Sequence, residues 1–122
     1  MYNKKESIED YLEKILMLEK DKKLIRAIDL ATFMNFSKPS VSVALKKLKS
    51  YGYVTVDEES GAIKLTKEGR KIAEATYERH EIIAHTLMDL GVSENTAYED
   101  ACAIEHIISE ETFKKLKERY KK

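Results

Sequence analysis

Apolar residues recur along the first part of this chain at three- and four-residue intervals, the spacing of a helix with one buried face. Ile8, Tyr11, Leu12 and Ile15 form the first such stripe. Ser7-Ile8-Glu9-Asp10 is close to a capping box, with Asp10 where Glu or Gln is usual, so the pattern predicts a first helix that starts at Ser7 and ends at the charged run 21–23. A short second helix fits residues 27–34, and Asn35-Phe36-Ser37 reads as a tight turn. Ser37 caps a third helix that carries Pro39 in its first turn, where a missing N–H is harmless. Val41, Ala44, Leu45 and Leu48 line its inner side, and Gly52 suits a left-handed cap.

The pattern then changes. Residues 53–56 and 62–65 are short, apolar and rich in β-branched side chains, and the polar loop 57–61 between them ends in a turn glycine, which is the signal of a hairpin. Thr66 caps a long helix from 67 to about 90, closed by Gly91, with Gly69 costing some helix propensity in its first turn. Ser93 caps a fifth helix that runs to about 108, and Ser109-Glu110-Glu111 starts a sixth. Helix, short helix, tight turn, helix, hairpin is the order of a winged helix-turn-helix. The predicted fold is mainly α, with this unit over residues 1–66 and an all-helical region over residues 67–122.

Composition narrows the setting. The chain has 122 residues and no run of 18 apolar positions, which argues against a membrane span. The charged N-terminal stretch lacks the apolar core of a secretory signal, and the single cysteine, Cys102, excludes a disulfide framework; a reducing cytoplasm is the expected location. Net charge is +0, from 22 basic and 22 acidic residues, but the charges are segregated. Residues 37–53 carry Lys38, Lys46, Lys47 and Lys49 and no acid, whereas residues 94–111 carry six acids and no Lys or Arg. The first segment suits phosphate and the second a cation.

The outer face of the third helix supports the first assignment. Ser42, Lys46 and Lys49 lie opposite its apolar stripe, flanked by Ser40, Val43, Lys47 and Ser50. Small hydroxyls let a helix approach base edges, while lysines reach the phosphates beside the groove. The N-terminus of this helix, with Ser37, Lys38, Pro39 and Ser40, also favours a phosphate. The acidic hairpin tip, Asp57, Glu58 and Glu59, is expected to add little affinity for DNA.

For the cation, Cys102, Glu105 and His106 stand at i, i+3 and i+4 of the predicted fifth helix, so a thiol, a carboxylate and an imidazole share one face. Asp10 and Glu13 are a carboxylate pair on the first helix, and His80 lies on a stripe of the fourth with Ala73, Tyr77, Ala84 and Leu87. Each alone has an ordinary structural reading: a small buried thiol, a hydrogen-bonded core histidine, acids favouring a helix dipole. Together they point to one or two metal ions.

These residues also resemble a known family. Glu9 to Glu13, Ser37 to Ser42, Leu65-Thr66-Lys67-Glu68-Gly69, Arg79-His80-Glu81 and the run from Asp100 to His106 look like the diphtheria toxin repressor family of metal-dependent bacterial repressors, which includes manganese transport regulators. The resemblance implies a homodimer whose helical region binds metal and dimerises, and which then occupies palindromic operator DNA and silences metal-uptake genes. It implies a ligand set of Asp10, Glu13, His80, Cys102, Glu105 and His106, and Fe(II) or Mn(II) as the metal, with Zn(II), Co(II) or Ni(II) able to substitute in vitro. Asp10 and Glu13 look like the manganese branch, Cys102 like the iron branch. Two departures stand out. Ala84 occupies a position that often carries a ligating carboxylate, and the SH3-like domain of the longer iron repressors is not expected here. The rival functions are a winged-helix regulator of another signal, a metal enzyme and a helical interaction module. The first would need an apolar pocket and is opposed by the density of ligand-type residues; the second is opposed by the absence of a nucleophile constellation, phosphate loop or HExxH motif, and the third by the lysine-only recognition face.

Overall fold

The computed structural model describes residues 4–120, with side chains described from residue 8 onward. Six helices and one two-stranded sheet follow in the order α1 (Lys4–Glu19), α2 (Ala27–Met34), α3 (Lys38–Ser50), β1 (Val54–Val56), β2 (Ile63–Leu65), α4 (Lys67–Asp89), α5 (Glu94–Ile104) and α6 (Glu110–Tyr120). The chain forms two compact units, Met1–Glu74 and Ala75–Lys122. No helix among the described residues is long and apolar enough to cross a membrane.

In the first unit, α1 starts earlier than the capping pattern predicts. Ser7 lies inside the helix, because the lysines and Glu6 before it are good helix formers and carry the helix upstream. Tyr11, Leu12, Ile15 and Leu18 bury one face against Leu30, Val41, Leu45 and Leu48 from α2 and α3 and against Val54, Ile63 and Leu65 from the strands. The turn between α2 and α3 depends on Asn35, which takes the left-handed conformation (φ 57°, ψ 43°) and donates its N–H to the Ala31 and Thr32 carbonyls. Asparagine tolerates that region better than other non-glycine residues. Ser37 caps α3 as expected, its hydroxyl accepting from the Ser40 N–H at 3.2 Å.

The hairpin is antiparallel, pairing Val54 with Leu65 and Val56 with Ile63, and each strand is one residue shorter than the sequence pattern. The Ile63 N–H also donates to the Ile25 carbonyl at 2.8 Å, which ties the hairpin to the segment ahead of α2. At the other end, Thr66 caps α4 (Gly69 N–H to Oγ1, 3.1 Å) and donates its hydroxyl to the Gly52 carbonyl at 2.7 Å. Gly69 has a purpose that helix propensity hides. A Cβ at this position would lie 2.0 Å from the backbone oxygen of Tyr53, so only glycine lets α4 pass this close to the start of the hairpin.

The second unit is built on small residues. Ala84, Ala97 and Ala101 are fully buried and cluster with Ile83, and Leu87, Met88, Ile104 and Leu116 pack around them. Gly91 (φ 104°) ends α4 in the expected place. Ser93 occupies the N-cap of α5 but its side chain makes no capping hydrogen bond. One face of α6 packs within this unit. Phe113 is buried beneath the Arg79 guanidinium (5.3 Å to the ring centroid), and Lys117 pairs with Glu78 at 3.0 Å.

Candidate metal centre and nucleic-acid interface

The residues expected to face DNA all lie on one exposed surface of the first unit. Ser37, Lys38, Pro39, Ser40, Ser42, Val43, Lys46 and Lys47 are exposed, while Val41, Leu45 and Leu48 point inward, so the amphipathic reading of α3 is correct. A groove of about 550 Å³ runs beside them, and Arg26, Lys38, Lys46 and Lys49 are its charged lining residues, with no carboxylate among those that line it. Its floor is apolar, from Ile28, Leu45, Val56 and Ile63.

Arg26 was not picked out by sequence pattern. It stands at the N-cap of α2 with its N–H on Asp29 at 2.8 Å, and its Nε donates to the Ser60 carbonyl in the hairpin tip at 2.8 Å. A basic residue just ahead of a helix start was the available signal. The acidic tip also differs from a simple repulsive cluster. Asp57 Oδ1 accepts the N–H groups of Glu59 and Ser60, both at 2.9 Å, so this carboxylate folds the turn. Those backbone bonds, Ser60 first, hold its pKa below the usual carboxylate range. Asp29 is lowered likewise, by the Arg26 backbone N–H and then by Lys22.

The second unit gathers four of the six expected metal ligands. His80 comes from α4 and Cys102 from the last turn of α5. Ligating atoms of His80, Cys102 and Glu105 all lie within 4.8 Å of one another. Glu105 is at the centre: its Oε2 is 3.2 Å from His80 Nδ1 and its Oε1 is 3.4 Å from His106 Nε2. Its side chain is fully buried, and those of His80 and His106 are 12% and 3% exposed.

The local backbone departs from expectation. The fifth helix stops at Ile104 rather than near 108, so Cys102, Glu105 and His106 do not share one unbroken helix. The cause is the chain that follows. The Ile107 N–H donates to the Ile104 carbonyl three residues back, the tightened turn of a helix end, and Ser109 opens α6 by accepting the Thr112 N–H at 3.1 Å. Glu105 nevertheless keeps a right-handed conformation (φ −58°, ψ −24°) with its N–H on Ala101, so it still stands one turn beyond Cys102. His106 leaves the helix and meets the other oxygen of Glu105. The Ala84 departure has a structural counterpart, because this side chain is sealed inside the apolar α4–α5 contact.

Asp10 and Glu13 lie one turn apart on α1 in the first unit, 3% and 0% exposed, with Lys14 Nζ 3.5 Å from Glu13. Burying carboxylates is expensive unless positive charge compensates. A buried carboxylate between two imidazoles and a thiol is likewise a donor set that fits a divalent transition metal. Oxygen and nitrogen suit Mn(II) and Fe(II), and sulfur shifts preference to softer ions. Beside the cluster, the Tyr98 hydroxyl donates to Glu81 Oε1 at 3.2 Å. Burial, then the Glu81 charge, push the Tyr98 phenol above its ordinary pKa, so it stays an O–H donor.

Comparison with known proteins divides the chain at about the hairpin. Residues 5–62 match the N-terminal DNA binding domain of the iron dependent repressors, and residues 66–122 match their metal binding and dimerisation domain. The transcriptional regulator MntR of Escherichia coli O157:H7 is 38% identical over 110 residues, covering 90% of this chain and 70% of that protein. An uncharacterized HTH-type transcriptional regulator of Methanocaldococcus jannaschii, MJ0568, is 38% identical over 114 residues, covering 92% and 90%. Among solved structures, the manganese regulator SloR superposes with a TM-score of 0.78 at 32% identity, over 91% of this chain. The chain spans about half of that structure's length (52%).

Proposed function

The chain belongs to the iron-dependent repressor family, DNA-binding regulators rather than enzymes, and on that premise we propose that it represses metal-uptake genes when it holds Fe(II) or Mn(II). The observation that carries this reading is the His80–Cys102–Glu105 cluster, in which Glu105 is buried and His80 and Cys102 are partly buried, in the half of the chain matched to a metal-binding domain. We propose residues 1–66 as the DNA-binding domain and 67–122 as the metal-binding and dimerisation domain. Asp10, Glu13, His80, Cys102, Glu105 and His106 are the proposed ligands. The Cys102 thiol favours Fe(II) over Mn(II).

The proposed active species is a cytoplasmic homodimer on a palindromic operator. Ser37, Lys38, Pro39, Ser40, Ser42, Val43, Lys46 and Lys47 are its proposed DNA contacts. The bound ion supplies two positive charges to a chain of net charge +0, which raises attraction for DNA. Ligands drawn from both ends of the sequence would also restrict how the two recognition helices of a dimer are spaced, and half-sites demand a fixed spacing of about 34 Å. The two carboxylate oxygens of Glu105 lie 3.2 Å from His80 Nδ1 and 3.4 Å from His106 Nε2, so replacing this carboxylate alters the surroundings of both imidazoles at once.

Such coupling typically amounts to about 1–3 kcal/mol, or about 5–150-fold in DNA affinity. Glu105→Gln is expected to make DNA affinity equal with and without metal while circular dichroism and gel filtration stay unchanged. Metal-dependent tightening that survives in this variant would refute the site. A winged-helix regulator of another signal would bind DNA equally well in chelator.

A further inference from the structure

Tyr98 takes no part in the ligand set, yet it is held against it from two sides. It lies on α5 one turn before Cys102, and its ring packs on the His80 imidazole with centroids 5.3 Å apart and planes 31° from parallel. Its hydroxyl donates to Glu81 Oε1 at 3.2 Å. Glu81 follows His80 directly on α4, and the same carboxylate oxygen lies 3.5 Å from His85 Nε2. The His85 ring meets the Tyr98 ring edge-on at 6.4 Å and 77°. The phenol is therefore packed against His80 and His85 and tethered at its far end.

We propose that Tyr98, tethered by Glu81, is a positioning residue that fixes the plane of the His80 imidazole and so sets the affinity and geometry of the metal centre. This rests on the reading of His80, Cys102 and Glu105 as ligands. The physical reason is torsional. The second side-chain torsion of histidine has a broad, shallow profile, so the ring does not choose its own plane. A ligand, however, must aim one nitrogen lone pair at the ion. His80 Nδ1 faces Glu105 at 3.2 Å, and rotation of the ring would carry it away from Glu105 and disturb the grouping with Cys102. The tilted contact of the Tyr98 ring opposes that rotation, and the hydrogen bond to Glu81 keeps that ring from sliding. Tyr98 acts through His80, because its own oxygen is committed to Glu81.

Cobalt(II) is the probe, titrated anaerobically into the apo-protein. The thiolate-to-cobalt charge-transfer band reports Cys102, and the visible ligand-field bands report the geometry around the ion. Residues that orient ligands typically change metal affinity about 10–100-fold. Tyr98→Leu is expected to weaken cobalt binding by about that range and to alter the ligand-field bands while the thiolate band persists. Tyr98→Phe keeps the ring and loses the tether, so its loss is smaller. Glu81→Ala should match Tyr98→Phe, and the two together should do no more than either alone. Glu81→Gln should restore near-normal binding, because the amide oxygen still accepts from the phenol.

Cobalt affinity and spectrum unchanged in Tyr98→Leu would overturn the role of Tyr98 while leaving the metal centre intact. Absence of a thiolate band in the unaltered protein would overturn the centre and this role together. Should the leucine variant fail to fold, the Tyr98→Phe and Glu81→Ala pair decides, and additive losses in the double variant would refute the tether.

Discussion

Replacing Gly69 by alanine tests how the hairpin is seated, and two arguments give it opposite signs. Helix propensity alone favours alanine over glycine by about 1 kcal/mol in a helix interior. The structure argues otherwise. The new Cβ would stand 2.0 Å from the Tyr53 carbonyl oxygen and 2.9 Å from its carbon, both backbone atoms, so α4 or the hairpin must retreat by about an ångström. That oxygen also accepts the Thr66 N–H at 3.0 Å, a bond the retreat would break. Overpacking costs about 1–3 kcal/mol and a lost hydrogen bond about 1 kcal/mol. Set against the propensity gain, Gly69→Ala should destabilise the first unit by about 1–3 kcal/mol. With a urea slope of about 2 kcal/mol per molar, the unfolding midpoint followed by far-ultraviolet circular dichroism should fall by about 1 M. A midpoint equal to or above that of the unaltered protein would refute the close approach.

Two further outcomes follow from the first unit. Lys46→Ala should weaken DNA binding about equally across sequences and reduce the slope of log affinity against log salt by about 1, measured by fluorescence anisotropy; an unchanged slope would make Lys46 a solvated side chain. The depressed pKa values of Asp29 and Asp57 carry a pH signature. Because each is lower folded than unfolded, its contribution is fully present above the unfolded value of about 4 and is lost as pH falls through the folded value. Asp57→Asn should therefore flatten the acid limb of stability below about pH 4 in urea titrations at several pH values, and an unaltered limb would contradict the turn described for the hairpin tip.

The parts of this molecule that sequence discloses are those governed by local periodicity and local hydrogen bonds. The stripe on α1, the inward face of α3, the caps at Ser37 and Thr66 and the glycine stop at Gly91 all depend on neighbours within a few residues. The residues missed are those whose partners are distant in sequence. Gly69 meets Tyr53, and Arg26 reaches Ser60, across intervals no pattern spans. The end of α5 was misplaced for a related reason. Periodicity continues through Ile107 and Ile108, but the cap at Ser109 competes for the chain and turns it after Ile104.

The candidate metal centre was legible in part. Cys102 and Glu105 kept their one-turn relation through the backbone of Glu105, although the helix had ended. His106 meets Glu105 by leaving the helix, which helical spacing does not express. The association of His80 with them is tertiary, and was anticipated through residue chemistry and family resemblance rather than through any periodic signal.

The central claim is tested most directly by anaerobic titration of the apo-protein with Fe(II) and Mn(II) at fixed salt, with anisotropy of labelled operator-like DNA as the readout. The expected result is tightening by about 5–150-fold on metal addition, reversed by chelator. DNA affinity that is the same with metal and with chelator would contradict the account.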